Sequence, residues 1–135
     1  MLIPKPKFPE DVNRMIDASL YLCSMLLSHN KTFYPFAAIC IDGDIQSVFF
    51  DEKKKHECGV IEQLEDMILQ HTVNVPKSNS LIVYSAYVET PQTDTQDVLV
   101  FEVMLHTGVM QQILYPVSFS SDKVEIGTAF MHQTL

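Results

Sequence analysis

Two stretches of the chain, residues 81–88 and 98–105, carry apolar side chains without a regular polar alternation. In the first, Leu81, Val83 and Tyr87 share one face of an extended strand, and Ile82, Tyr84, Ala86 and Val88 share the other. Side chains alternate between faces along a strand, so a strand apolar on both sides needs cover on both sides. That requirement frames the rest of the pattern.

Ahead of these stretches, Val12, Met15, Ile16, Ser19, Leu20, Cys23, Leu26 and Leu27 recur at helical spacing, and Leu22 and Met25 widen the stripe. Pro9-Glu10-Asp11 suits a helix N-terminus, where proline loses nothing and acids meet the positive end of the dipole. The spacing predicts a helix over 10–28, with Asn30 as a left-handed stop. A second helix is expected over 59–72. Val60, Ile61, Leu64, Met67, Ile68 and His71 mark its buried stripe, and Glu62, Gln63, Glu65, Asp66 and Gln70 its wet side. Asn74 and Pro76 end it.

Asp42-Gly43-Asp44 between apolar runs predicts a hairpin of strands 33–41 and 45–50. Pro35 cannot donate to a ladder, so the first of these starts after it or lies at an edge. Further strands are expected over 80–88, 97–106 and 109–117, with Thr107-Gly108 turning the chain, and a short one over 123–127. Residues 1–9, with Pro4, Pro6 and Pro9, read as an extended N-terminal arm, and residues 128–135 as a C-terminal tail. No internal repeat or linker divides the chain, so residues 1–135 form a single domain.

The expected fold class is α+β. It has an antiparallel or mixed sheet of five or six strands and two helices, in the order α-β-β-α-β-β-β, with a further β where the sixth strand forms. Five strands at about 4.8 Å spacing span roughly 24 Å, and a helix with its side chains is about 10–12 Å wide. On widths alone, apolar sheet surface is left over, with Phe36, Tyr84, Tyr87, Phe101, Met104 and Tyr115 as its candidate residues. A contiguous exposed apolar patch marks a binding surface, and symmetric pairing of two copies is the commonest use of one. In the competing arrangement one helix crosses each face, and the arm or tail fills what remains.

Composition narrows the classes of partner. The chain has 17 acidic and 9 basic residues, a net charge of −8. Nucleic acid and anionic membrane surfaces call for a basic face, so neither is expected as a partner, whereas a protein with a basic surface suits the charge. Three cysteines, Cys23, Cys40 and Cys58, cannot all pair within one chain, and two sit in apolar runs. Free cysteine of that kind belongs to a reducing compartment, so the expected location is the cytoplasm. The N-terminus lacks the apolar core of a signal peptide, and no stretch is long enough to span a bilayer.

Catalytic motifs are sparse. His56-Glu57-Cys58 places a histidine beside a thiol, with Lys53, Lys54 and Lys55 nearby to favour the thiolate. Nothing orients the histidine, and the competing reading is a charged loop entering a helix. Asp42, Asp44 and Asp51 offer oxygen ligands, yet aspartates at a tight turn ordinarily form the turn. No cysteine or histidine pair has zinc-chelating spacing. Phosphate-cradling glycine loops are absent, so no metal or cofactor is expected. Glu102 stands out as an acid between Val100-Phe101 and Val103-Met104, with Gln111 and Gln112 expected on the adjacent strand. A mid-strand acid lies either on a wetted face or in a pocket.

The chain therefore reads as a small acidic cytoplasmic protein that works by association, as a homodimer, with a partner protein, or both, in the manner of an immunity protein or an adaptor. The alternative is a small-ligand-binding domain or minor enzyme. Its pocket would lie near Glu102 and be lined by Tyr84, Tyr87 and Tyr115, while Cys58 and His56 offer a reactive thiol.

Overall fold

The computed structural model describes residues 2–30, 33–49, 59–89, 95–121 and 123–132. It is an α+β fold of two helices and an antiparallel sheet. The chain runs β1 (Leu2–Pro4), α1 (Glu10–Asn30), β2 (Phe36–Ile41), β3 (Asp44–Phe49), α2 (Val60–Thr72), β4 (Asn79–Val88), β5 (Gln96–Met104), β6 (Met110–Ser120), β7 (Lys123–Ile126) and β8 (Phe130–His132).

Helix α1 begins where proline and acids predicted: the Asn13 N–H donates to the Pro9 carbonyl at 3.0 Å, and Glu10 and Asp11 occupy the first turn. Its buried residues, Val12, Met15, Ile16, Ser19, Cys23 and Leu27, follow the predicted stripe. Helix α2 starts at Gly59, which supplies no side-chain cap. Two of its expected positions change sides. His71 is exposed and turns back to the Met67 carbonyl, Nδ1 to O 2.8 Å. Gln63 is buried beside Leu64.

Between β2 and β3, Asp42 and Gly43 both have positive φ, 51° and 84°. Such a pair is the type I′ turn, whose twist matches its flanking strands. β2 starts directly after Pro35, as that residue's missing N–H requires.

Seven strands lie in the order β1-β8-β6-β5-β4-β2-β3, and β7 also pairs with β6. The expectation of five or six strands was short because the arm and tail are strands themselves. Ile3 of β1 lies opposite Met131 of β8. β7 and β8 take successive portions of one edge of β6, and Pro116 marks the break between them. A strand residue aims its N–H and C=O at the same neighbour. The Pro116 carbonyl accepts from the Gly127 N–H at 2.8 Å, so its missing N–H lies on that edge and interrupts the ladder. A Cβ at Gly127 would sit 2.8 Å from Pro116 Cγ, so the crossing needs glycine.

The two faces of the sheet are covered unequally. On one, α1 packs against Phe36, Ala38 and Cys40 of β2, Leu81 and Val83 of β4, Leu99, Phe101 and Val103 of β5, and Ile113, Tyr115 and Val117 of β6. On the other, Leu64 of α2 packs with Ala37, Ile39, Val48 and Ile82, and Val98, Val100 and Leu114 form a separate buried cluster with Phe130 beside it. The expected surplus of open apolar surface is thus smaller than strand and helix widths imply, because a helix crossing the strands covers them by its length. At about 1.5 Å per residue, the 21 residues of α1 extend roughly 31 Å and reach contacts from β2 to β7. The 13 residues of α2 extend about 20 Å and pack chiefly on β2, β3 and β4.

Phe101 is fully buried at the centre of the α1 face and packs edge-on against Tyr115, ring centroids 5.1 Å apart. Phe101→Ala is expected to cost about 3–5 kcal/mol, read as a lower urea midpoint at unchanged slope.

Candidate functional site

The face that α2 covers incompletely brings together one polar constellation. Tyr84 on β4, Glu102 on β5 and Gln112 on β6 belong to three adjacent strands. Glu102 lies directly opposite Gln112, and Tyr84 lies diagonally across from Glu102. The Tyr84 hydroxyl donates to Glu102 Oε1 at 2.8 Å. Gln112 Nε2 reaches both the Tyr84 hydroxyl and Glu102 Oε1 at 3.5 Å. Burial first, and then the neighbouring Glu102 carboxylate, push the Tyr84 phenol up from 10.0 to about 12. The phenol therefore stays a neutral donor at ordinary pH.

Beside this cluster lies a groove of about 200 Å³ between α2 and the sheet. Glu65, Ile68 and Leu69 form its helix wall; Ile82, Glu102, Met104 and Met110 line the sheet side. Met104 and Met110 are cross-strand partners at the end of the β5–β6 hairpin, and the Leu105 N–H to Val109 carbonyl bond of 2.9 Å closes the turn beyond them. Leu69, Met104 and Met110 are exposed, at 60%, 43% and 50%. Both charged residues that line the groove are acidic.

The residues expected to form one binding surface do not lie together. Tyr84 and Met104 share the groove side of the sheet with Glu102. Phe36, Phe101 and Tyr115 are core residues beneath α1. Strand parity puts them there, since each shares a face with Leu81 and Val83. Tyr87 is exposed on the α1 side of the sheet, in a separate depression with Leu27, Asp97 and Phe119. A pocket shared by Tyr84, Tyr87, Glu102 and Tyr115 is therefore excluded, while the pairing of Tyr84 with Glu102 is present. The Tyr115 hydroxyl is buried and has no hydrogen-bond partner among the described residues. Burial and the nearby Asp17 carboxylate push its phenol up to about 12.

His56 and Cys58 lie outside the described residues, as does Asp51. Among the described residues no group of three or more histidine, cysteine or acidic side chains is placed to hold a metal. No described helix is long and apolar enough to cross a membrane.

Sequence reasoning missed Leu69, Glu65 and Met110 as parts of the groove. Two signals were present. Leu69 is an apolar residue among the polar positions of the second helix, and Met104 and Met110 stand symmetrically about Thr107. No protein-family profile, curated protein or solved structure matches the chain.

A titration follows from the two raised phenols. A group whose folded value lies above its unfolded one contributes stability below the unfolded value and loses it as pH rises through the folded one. Tyr84 and Tyr115 therefore favour the fold up to pH about 10 and lose that contribution towards pH about 12. Tyrosinate absorbance is expected to show a late-ionising class that shrinks in Tyr84→Phe and in Tyr115→Phe. Each variant should also depend less steeply on pH for its stability across that window.

Proposed function

We infer that this chain is a protein-association module. Its groove beside Glu102 receives an apolar side chain of a partner whose flanking residues are basic. The observation that carries this reading is the pairing of exposed Leu69, Met104 and Met110 with a groove whose charged lining is Glu65 and Glu102 alone. Methionine is flexible and polarisable and adapts to varied apolar partners. Carboxylates at a groove rim select cationic neighbours and speed encounter, and the net charge of −8 acts in the same direction. An immunity-type or adaptor-type role fits these properties. Cys23 and Cys40, both free and buried, fit a reducing compartment, and the cytoplasm is the location we propose.

A small-ligand site is the weaker reading. Pockets for drug-sized ligands run about 300–1,000 Å³ and enclose most of the ligand. The groove beside Glu102 holds about 200 Å³. It suits one or two side chains of a larger partner.

The test uses protein labelled with ¹³C at the methionine methyls and two amphipathic peptides of equal apolar content, one flanked by lysines and one by glutamates. The basic peptide is expected to shift the Met104 and Met110 methyls saturably, with affinity that falls as salt rises. Met110→Asp or Leu69→Asp should weaken it about tenfold or more. Equal binding of both peptides, or methyls that stay in place, would overturn the reading.

A further inference from the structure

Strand β3 ends the sheet, and among the described residues nothing pairs with its outer edge. The hairpin fixes which backbone groups lie there. Ile41–Asp44 closes a two-residue turn, so it is a hydrogen-bonded pair, and such pairs alternate along the ladder. Asp44, Gln46 and Val48 therefore direct their N–H and C=O groups at β2. Ile45, Ser47 and Phe49 direct theirs away from the sheet.

Natural sheets guard such an edge with lysine, proline or a bulge. β3, with the sequence DIQSVF, has none of these, and its single charge is Asp44 at the turn. Its outermost aromatic, Phe49, is 52% exposed and packs against Phe36 with ring centroids 5.9 Å apart.

We propose that β3 pairs with β3 of a second copy, antiparallel about a two-fold axis at Ser47, so that two sheets join into one. Symmetry and the hydrogen-bond pattern select this register. An axis perpendicular to the sheet maps each face onto itself, so facing residues must share a face. Centring on Ser47 is the arrangement that employs all three outward-facing residues. Ile45 then faces the partner's Phe49, Ser47 faces the partner's Ser47, and each pair exchanges two N–H···O bonds. Ile45 and Phe49 lie on the α1 face, so the apolar core of that face continues across the junction and covers the exposed ring. The alternative centred on Gln46 leaves Phe49 outside the ladder. This contact is separate from the groove, which lies over β5 and β6, and either can fail alone.

The edge chemistry supplies a selective variant. Proline at position 47 removes an N–H that β2 does not use, and it is tolerated on an edge strand. Sedimentation velocity of the full chain at micromolar concentration is expected to show a dimer. Ser47→Pro should weaken it about tenfold or more with little change in thermal midpoint. Ser47→Lys, which sets two like charges face to face and leaves the backbone intact, should do the same and decides the matter if the proline variant unfolds. Two subunits of like charge repel, so added salt should tighten the dimer, opposite to its effect on the groove.

The register has its own readout. In a Cys58→Ser background, Ser47→Cys is expected to oxidise to a covalent dimer, because facing Cα atoms about 5.5 Å apart lie within disulfide reach. Gln46→Cys, whose copies lie on the diagonal at about 7–8 Å, should not. A wild-type monomer, a dimer undiminished by both Ser47 variants, or equal cross-linking at 46 and 47 would overturn the proposal.

Discussion

Two-sided burial of the central strands is the constraint on which this fold depends. Leu81 and Val83 on one side of β4 and Ile82 on the other are all nearly inaccessible to water, as are Leu99, Phe101 and Val103 against Val98 and Val100 of β5. Apolar surface contributes roughly 25 cal/mol per Å² removed from water. A sheet with such strands is stable only when both faces have a roof. The α1 face obtains one from a single long helix together with β7, whose Val124 and Ile126 pack onto the same core. The opposite face is roofed in two portions, one beneath α2 and one around Val98, Val100, Leu114 and Phe130.

Much of this was legible in the residues because local signals and the global pattern agree. The start of α1 followed from Pro9 and the acids after it, its buried stripe from the 3.6-residue spacing, and the hairpin from Asp42-Gly43. The end of α1 did not, because Asn30, expected as a left-handed stop, is the last helical residue and has no positive φ. The short sixth strand, the start of β2 after Pro35 and the doubly apolar β4 and β5 were legible for the same reason. β1 and β8 were not legible, since each has only three residues. They exist because arm and tail meet across a gap in sequence that no local pattern reports.

The functional residues divide along the same line. Glu102 was conspicuous as an acid in an apolar strand, and register brings Tyr84 and Gln112 to it. Phe36, Phe101 and Tyr115 resemble surface aromatics only while the strand faces are unassigned. Strand parity makes them core, and a one-residue slip would have reversed every assignment. Leu69 is recognisable as a groove residue only once α2 is known to lie beside β5 rather than over it. Placement of a helix on a sheet depends on tertiary packing and is invisible to helical periodicity.

The length of α2 links the site to the fold. Its roughly 20 Å cannot span seven strands, so its position decides which part of the face stays open. Leu64 settles over Ala37, Ile39, Val48 and Ile82, and that choice covers the β2–β3 hairpin, which among the described residues has no other roof on that face. A shift toward β6 would close the groove over Met104 and Met110, but it would uncover Val48 and Ile39, which are 8% and 1% exposed. The open groove is therefore the complement of a necessary contact. Substitutions that repack α2 against β2 should alter the groove even though they touch none of its lining.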